Sequence, residues 1–392
     1  MDPFTHTLVG LTAAKAGLEK LSPLATTVCV LAANSPDSDI VVGLTTDRWN
    51  YLHHHRGITH SIVGVIALAV IVPTLVWLVD RGWARFGKRR AKSRYRALLL
   101  ASAIATATHP LMDWTNNYGV RPFLPWSGRW FYGDLVFIVD PFILLLAGGA
   151  AFLATSNRWP GIVLWALLGA GFVTLSFIVG GRRDPGLEGA SVARFILLFG
   201  VMVLVTVRVI GIVRGRERII AAGALALIVC YWSGLAVAHG RALQNAQSVA
   251  NRLAGQSHES LLRVVAMPTL ANPARWFCVA ETDRAIYRFA VKLGASSSEN
   301  SLQVVDGYQT DAPEAIERYE KPIDESASLT AVASQDRRAR IFLDFARFPI
   351  AHVAEQDCVS QTIVQFSDLR YTKPGSGRGT FSLNVPVDCA SK

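Results

Sequence analysis

The sequence predicts an α-helical polytopic membrane bundle, with about six spans and a short N-terminal helical hairpin, followed by a small β-rich soluble domain. Three observations predict it. First, 51% of the 392 residues are hydrophobic and the mean hydropathy is +0.31, too apolar for an ordinary soluble chain of this length. Second, apolar runs approaching the roughly 20 residues that cross a bilayer recur up to residue 239. Third, charge is partitioned: residues 1–239 hold 22 Lys+Arg against 12 Asp+Glu, whereas residues 240–392 hold 17 of each, so the net charge of +10 belongs to the apolar part.

In chain order, residues 4–18 and 24–34 are apolar but too short to cross alone, and they read as a helical hairpin packed into the bundle at one membrane face. The spans follow at residues 62–79, 97–112, 135–155, 161–179, 195–213 and 219–238. The loop DRGWARFGKRRAKSRYR, residues 80–96, carries eight Lys+Arg. Arg158 and the group Arg214, Arg216 and Arg218 mark two further loops that alternation places on the same side, which the positive-inside rule makes cytoplasmic. Arg182 and Arg183 fall on the other side but are outweighed by the eight-residue cluster. Residues 35–60, 113–134, 180–194 and everything after 239 are then expected outside the cytoplasm. The N-terminal stretch MDPFTHTLVGL has no basic region or small-residue cleavage site, so insertion would rely on the internal helices. The expected division is a metal-site helical domain over 1–150, additional transmembrane helices over 151–239 and a β-rich extracytoplasmic domain over 240–392.

In that last part RAIYRFAVKL, RIFLDFARF, TIVQFSDLRY and GTFSLNV alternate apolar with polar residues, predicting a small antiparallel sheet with one helix around residues 315–319. Of the five cysteines, Cys29 and Cys230 lie in apolar runs and read as buried small hydrophobes, while Cys278, Cys358 and Cys389 allow one disulfide whose pairing is not legible. Basic residues cluster in short loops, not along a polar surface with interleaved aromatics, so no nucleic-acid partner is expected.

Chemistry gathers at helix ends. His6 lies in FTHTLVG, Asp37 and Asp39 in NSPDSDI, His55 and His60 in HHHRGITHS, and His109 with Asp113 in THPLMDW. The threading above returns all four segments to one membrane face. His109 and Asp113, four apart, share a helix face, although Pro110 between them could disturb that turn. Gly57 permits a tight turn that brings His55 toward His60. Imidazole and carboxylate at membrane-helix ends cost free energy unless partnered, and together they suit zinc, manganese or iron. A set larger than one ion needs could hold two, the usual clamp for phosphoester hydrolysis.

Plainer readings apply to single residues. His239, His258 and His352 fit structural or solvated roles, His53 and His54 a solvated loop, and Asp37 alone a turn or helix cap. Arg56 fits either a phosphate-binding fork or a headgroup anchor. Asp134 and Asp140, six apart, face different ways and suit helix packing or support of the site rather than ligation. Trp114, Trp126 and Trp130 read as an interfacial aromatic belt.

Taken in order, FTHTLVG, PDSD, HRGITHS and HPLMD followed by GVRPFLPWS resemble the YdjM/YbcI-like family of bacterial inner-membrane metal-dependent hydrolases. The resemblance covers roughly residues 1–150, and HRGITHS is its most specific element. It implies a helical core similar to those of zinc-dependent phospholipases C and single-strand nucleases. The implied metal ligands are His6, Asp37, His55, His60, His109 and Asp113, with Asp39 a further candidate. Many members carry His after the second Asp, where this chain has Ile40; the number of ions and the role of Asp39 stay open.

The expected function is therefore a membrane-bound metal-dependent hydrolase at the outer face of the inner membrane, acting on a phosphoester or lipid-linked substrate. One or two divalent ions, zinc first and manganese or iron otherwise, would activate water, with Asp39 or Asp113 as general base. Membrane lipids are the expected surroundings. The competing expectation is a non-catalytic membrane protein with a structural metal or polar cluster and a partner-binding C-terminal domain. A transporter is disfavoured because the polar residues group at one face.

Overall fold

Helix α1, Pro3–Lys15, begins where Asp2 accepts the Thr5 N–H at 2.9 Å and Pro3 occupies the first turn. Helix α2, Ala25–Asn34, packs back along it, with Ala14, Ala25, Ala32 and Ala33 almost wholly buried between them and the later helices. The computed structural model describes residues 1–87, 92–156, 158–179, 189–294, 304–308, 315–353, 361–375 and 381–388. Arg182, Arg183, Cys358 and Cys389 lie outside the described residues.

A 3-10 turn over Ser35–Asp39, two short helices, α3 (Ile40–Thr45) and α4 (Arg48–His54), and a second turn over Ile58–His60 lead into α5, Ile62–Phe86. Ser61 starts α5 by accepting the Gly64 N–H at 3.1 Å, which fixes His60 immediately before the helix. Helix α6, Tyr95–Trp114, returns and continues through Pro110 to its end. Then follow α7 (Pro141–Thr155), α8 (Trp159–Val179), α9 (Ala190–Ile210) and α10 (Glu217–Gln256).

Among the described residues, three helices are long and apolar enough to cross a membrane: α5, α9 and α10. The expected span over 135–155 is shorter than read, because Asp140 is not inside a helix. Its carboxylate caps α7, accepting the Phe142 and Ile143 N–H groups at 2.9 and 3.0 Å, and α7 has 15 residues. The basic connections share one end of the bundle. The Arg94 N–H donates to Ser22 Oγ at 2.8 Å, Arg218 to the Ala16 carbonyl at 3.1 Å and Arg208 to the Ser156 carbonyl at 2.8 Å. His6, Asp37, His60 and Asp113 lie at the other ends of their helices.

Helix α10 runs for 40 residues, so position 239 falls inside one unbroken helix. Its second half changes partners: Ala242, Ala246, Val249, Ala250 and Leu253 pack on Trp276, Cys278, Tyr287 and Phe289 of a sheet. That sheet comprises β1 (Leu261–Thr269), β2 (Asn272–Thr282), β3 (Ala285–Lys292), β4 (Val304–Asp306) and β5 (Ile316–Glu320), in the order β1-β2-β3-β5-β4, with only β4 and β5 parallel. Helices α11 (Asp324–Ala333) and α12 (Arg337–Phe345) precede an antiparallel meander of β6 (Pro349–Val353), β7 (Gln361–Asp368) and β8 (Ser382–Asp388).

Three expectations are corrected here. Residues 315–319 are mostly strand β5, not helix, since pairing with β3 supplies their backbone partners. RIFLDFARF lies largely in α12, where Ala339, Phe342 and Phe345 recur at three-residue spacing and bury one face. Cys230 is exposed on the protein surface of α10 and not buried, whereas Cys29 and Cys278 are buried free thiols.

The C-terminal part docks on the end of the bundle that carries the polar clusters. Trp49 of α4 joins the core formed by α12 and the second sheet. Arg347 grips Asp134 through two contacts of 2.8 and 3.0 Å. Arg370, buried against Asp368, donates to the Asn117 carbonyl at 2.8 Å. Trp130 is held beneath Arg121 and beside Phe345, so only Trp114 and Trp126 present exposed rings.

Candidate metal centre

The site is assembled from four elements. Helix α1 brings His6; the turn after α2 brings Asp37 and Asp39; the segment before α5 brings His55 and His60; the end of α6 brings His109 and Asp113. Gly57 makes the third possible. Its N–H donates to the His54 carbonyl at 2.8 Å, and a Cβ there would stand 2.4 Å from that oxygen. The turn brings the His55 and His60 rings to 6.3 Å between centroids.

Within this set Asp37, His60, His109 and Asp113 converge, each offering one donor atom within 4.8 Å of the others. His60 Nε2 lies 3.1 Å from His109 Nε2, 3.5 Å from Asp37 Oδ1 and 3.3 Å from Asp113 Oδ2. His109 Nε2 lies 3.4 Å from Asp37 Oδ1 and 3.5 Å from Asp113 Oδ2. Nitrogen and oxygen ligands about 2.0–2.2 Å from a tetrahedral zinc ion stand roughly 3.3–3.6 Å apart; four of these five spacings fall in that range and the fifth, between the two imidazoles, is shorter at 3.1 Å.

Proton accounting points the same way. His109 Nδ1 lies 2.6 Å from the Ala33 carbonyl, an oxygen that only an N–H can satisfy, so in the neutral ring Nε2 presents a lone pair. That lone pair faces another imidazole nitrogen and two carboxylate oxygens. Asp113 Oδ2 and both ring nitrogens of His6 have no hydrogen-bond partner. Burial pushes the His60 imidazole down to about 3, against its hydrogen bond with Asp37. Burial also raises the Asp37 carboxyl, but the facing imidazoles of His109 and His60 outweigh this and hold it far below the ordinary range.

The remaining residues surround this group. His6 stacks on His109 with centroids 3.6 Å apart and places Nε2 3.3 Å from Asp113 Oδ1, which the Met1 amine also contacts. Burial, and then His109 beside it, push the His6 imidazole well below its usual range. Asp39 lies on the far edge of His60: its Oδ2 accepts the Arg56 N–H at 2.8 Å and stands 3.3 Å from His55 Nδ1 and 3.7 Å from His60 Nδ1.

Arg56 is not the surface headgroup anchor, one of the two expectations for it. It is buried, with a backbone φ of +50°, and it donates to Asp113 Oδ1 at 3.0 Å, Asn116 Oδ1 at 3.1 Å and the Gly119 carbonyl at 3.2 Å, beneath the Tyr118 ring. A non-glycine residue in the left-handed region is uncommon and gathers at functional sites. Nothing in the sequence singles out Asn116 and Tyr118 beyond the polar run TNN, residues 115–117, that follows Asp113 and Trp114. The Ala33 carbonyl has no sequence signal at all. His53 and His54 stay at the exposed edge, outside the converging group, while Asp134 and Asp140 serve the Arg347 contact and the α7 cap.

Comparison with known proteins agrees with the motif order. The model of the family described as YdjM inner membrane protein matches residues 1–183. The uncharacterized protein YfhP of Bacillus subtilis (strain 168) is 29% identical over 177 residues, covering 43% of this chain and 50% of YfhP. The inner membrane protein YbcI of Escherichia coli (strain K12) is 28% identical over 148 residues, covering 36% of this chain and 79% of YbcI. The chain thus spans half the length of YfhP and most of that of YbcI. No solved structure gives a significant match. The segment that carries the His/Asp motifs, residues 1–183, is therefore similar to the YdjM inner membrane protein family.

Proposed function

We propose that the protein is a membrane-bound metal-dependent hydrolase acting on a phosphoester at the outer face of the inner membrane. The observation that carries the proposal is the convergence of Asp37, His60, His109 and Asp113, with Asp113 Oδ2 left without a hydrogen-bond partner. In this reading those four residues are ligands, and His6 and His55 stand ready to complete a larger set. A divalent ion there, zinc first and manganese or iron otherwise, supplies Lewis acidity toward a phosphoryl oxygen and toward water. The chain's own residues do the rest. Arg56 and His6 fix Asp113 through Oδ1 and leave Oδ2 directed into the site. Thr59 Oγ1, 3.1 Å from His60 Nδ1, orients that ring, and Asp39, whose Oδ1 has no partner, keeps a lone pair for proton transfer. Asp113 is the weaker base of the two, since one oxygen is already engaged by a guanidinium.

We also propose six crossings, with site and C-terminal domain outside the cytoplasm. The gathering of the Arg94, Arg208 and Arg218 connections at the end opposite the site supports this orientation. A second reading, a structural ion in a non-catalytic protein, is favoured by the burial of His60, His109 and Asp113 and by the docking of the C-terminal domain on this end. Elemental mass spectrometry and phosphodiester turnover on detergent-purified protein separate them. Near-stoichiometric metal lost in a His60→Ala/Asp113→Ala variant of matched folding, with turnover abolished in Asp39→Asn, supports the hydrolase. Metal bound without turnover of any phosphoester supports the structural ion, and no metal after resupply overturns both.

A further inference from the structure

Three sides of the candidate centre are closed and one is open. His6, His60, His109 and Asp113 are buried, whereas the Asp37 side chain keeps 21% of its surface exposed and that of His55 18%. Both open positions flank α3. This helix follows Asp39 directly, and Gly43 admits the Tyr51 ring, a Cβ there standing 3.0 Å from it. Tyr51 in turn stacks on His55 at 4.8 Å, so the setting of α3 is tied to the open edge of the site.

The surface of α3 is unusual for an element facing water. Ile40, Val41 and Leu44 are exposed, Leu44 by 80%, and no residue from 40 to 46 is charged. The two hydroxyls that could face solvent turn back on the helix: Thr45 Oγ1 donates to the Val41 carbonyl at 2.9 Å and Thr46 Oγ1 to the Val42 carbonyl at 2.7 Å. Ile58, just before α5, and Ile62 and Ile66 of α5 itself are exposed as well. Because α5 is long and apolar enough to cross a membrane, these last residues face lipid, and the turn over Ser35–Asp39 that leads into α3 packs against α5. On the loop after α6, Trp126 is exposed at this same end of the bundle, where aromatic rings mark the membrane–water boundary.

We infer that α3 lies in the bilayer surface as an interfacial helix, and that the substrate is a phosphoester with a long apolar chain which enters from the lipid phase, its headgroup passing Asp37 and its chain lying along Ile40, Val41 and Leu44. The substrate part rests on the hydrolase reading above. The placement of α3 stands independently of it. A soluble phosphoester would meet a site entrance lined by apolar side chains that a water-facing protein would not retain at this exposure. For an amphiphile the same lining holds the chain while the headgroup reaches the ligands.

The test uses full-length protein in phospholipid nanodiscs, with Cys230 replaced by alanine and Cys358 and Cys389 by serine. Nitroxides are attached at Leu44→Cys, at Ile66→Cys as a lipid-facing control and at Arg284→Cys as an aqueous control. The expected result is that the label at position 44 is relaxed by oxygen and shielded from a water-soluble nickel chelate, as at position 66. Relaxation by the nickel chelate as at position 284, or shielding from both probes as at a protein contact, overturns the placement. A Val41→Asp/Leu44→Asp variant then tests the substrate. Its metal content should equal wild type, while turnover of a long-chain phospholipid in the bilayer falls about tenfold or more and that of a water-soluble p-nitrophenyl phosphodiester is unchanged. An equal loss on both substrates overturns lipid entry. Absence of metal and turnover in the wild type sinks the hydrolase reading together with the substrate, whereas the spin labels still decide where α3 lies.

Discussion

His60 and His109 meet nitrogen to nitrogen, Nε2 to Nε2 at 3.1 Å, although 49 positions separate them in the chain. Two imidazoles so placed share at most one proton, and the Ala33 carbonyl already claims the hydrogen of His109 at Nδ1. Without an ion, His60 Nε2 must carry the proton between the rings; an ion held by both rings and the carboxylates of Asp37 and Asp113 would take its place.

Metal removal should therefore destabilise the folded protein. Chelator-treated protein is expected to unfold at lower temperature, and zinc resupplied at about 100 times its Kd should restore about 2.7 kcal/mol. Differential scanning fluorimetry in detergent measures this. His109→Ala should abolish the zinc response. A zinc response unaltered by that substitution would place the ion elsewhere.

Arg56 should resist replacement even by lysine. Its guanidinium serves Asp113, Asn116 and the Gly119 carbonyl from one buried plane, a geometry that a single ammonium cannot copy. Breaking such a buried pair costs about 3–5 kcal/mol, and Arg56→Ala should lose stability of that order, with Arg56→Lys recovering little. Denaturant unfolding followed by far-UV circular dichroism reads the difference, and full rescue by lysine would contradict the role assigned to the fork.

Gly57→Ala should lower metal retention as well as stability. The added Cβ would press on the His54 backbone carbonyl at 2.4 Å, and relief requires the turn joining His55 to His60 to open. A cost of about 2 kcal/mol or more follows, with loss of bound metal by elemental analysis. Ser61→Ala makes a control: losing the α5 cap should cost about 1 kcal/mol and leave the metal content nearly unchanged.

Acid should loosen the join between α10 and the first sheet. Glu259, just beyond α10, accepts from Arg318 at 2.6 Å, Thr282 at 2.7 Å and Tyr287 at 3.0 Å. Burial works to raise its carboxyl, but these hydrogen bonds prevail and hold it below its ordinary value of 4.5. A depressed folded-state carboxyl contributes stability that is fully present above pH 4.5 and is lost as pH falls through the folded value. Glu259→Gln should thus be less stable than wild type at pH 7, and the gap should narrow below pH 4.5 in a melting series. A gap independent of pH would mean that the contact matters only for packing.

Much of the site was legible because membrane proteins write their polar residues sparsely. Seven imidazole and carboxylate groups at apolar helix ends stand out against a background that excludes them, and the motif HRGITHS adds order and spacing. Their ranking was not legible. That Asp37, His60, His109 and Asp113 face one another while Asp39 stands behind His60 depends on side-chain directions set by packing. The helix expected over 315–319 and the strand expected over RIFLDFARF failed for a related reason: segments this short take the structure their neighbours impose, and β3 and Trp49 are those neighbours.

The sequence by itself determined that the chain is a helical membrane protein with a charge-balanced β-rich tail, because hydropathy and charge act over long stretches and need no partner to be read. It also determined that His6, Asp37, Asp39, His55, His60, His109 and Asp113 fall at helix ends. Only the tertiary structure decided that Arg56 turns inward to Asp113, that the Ala33 carbonyl orients His109, and that the tail docks through Arg347 and Arg370 on the polar end of the bundle. Each of these is a contact between segments far apart in the chain. Such contacts depend on three-dimensional direction and distance, which no local pattern of residues encodes.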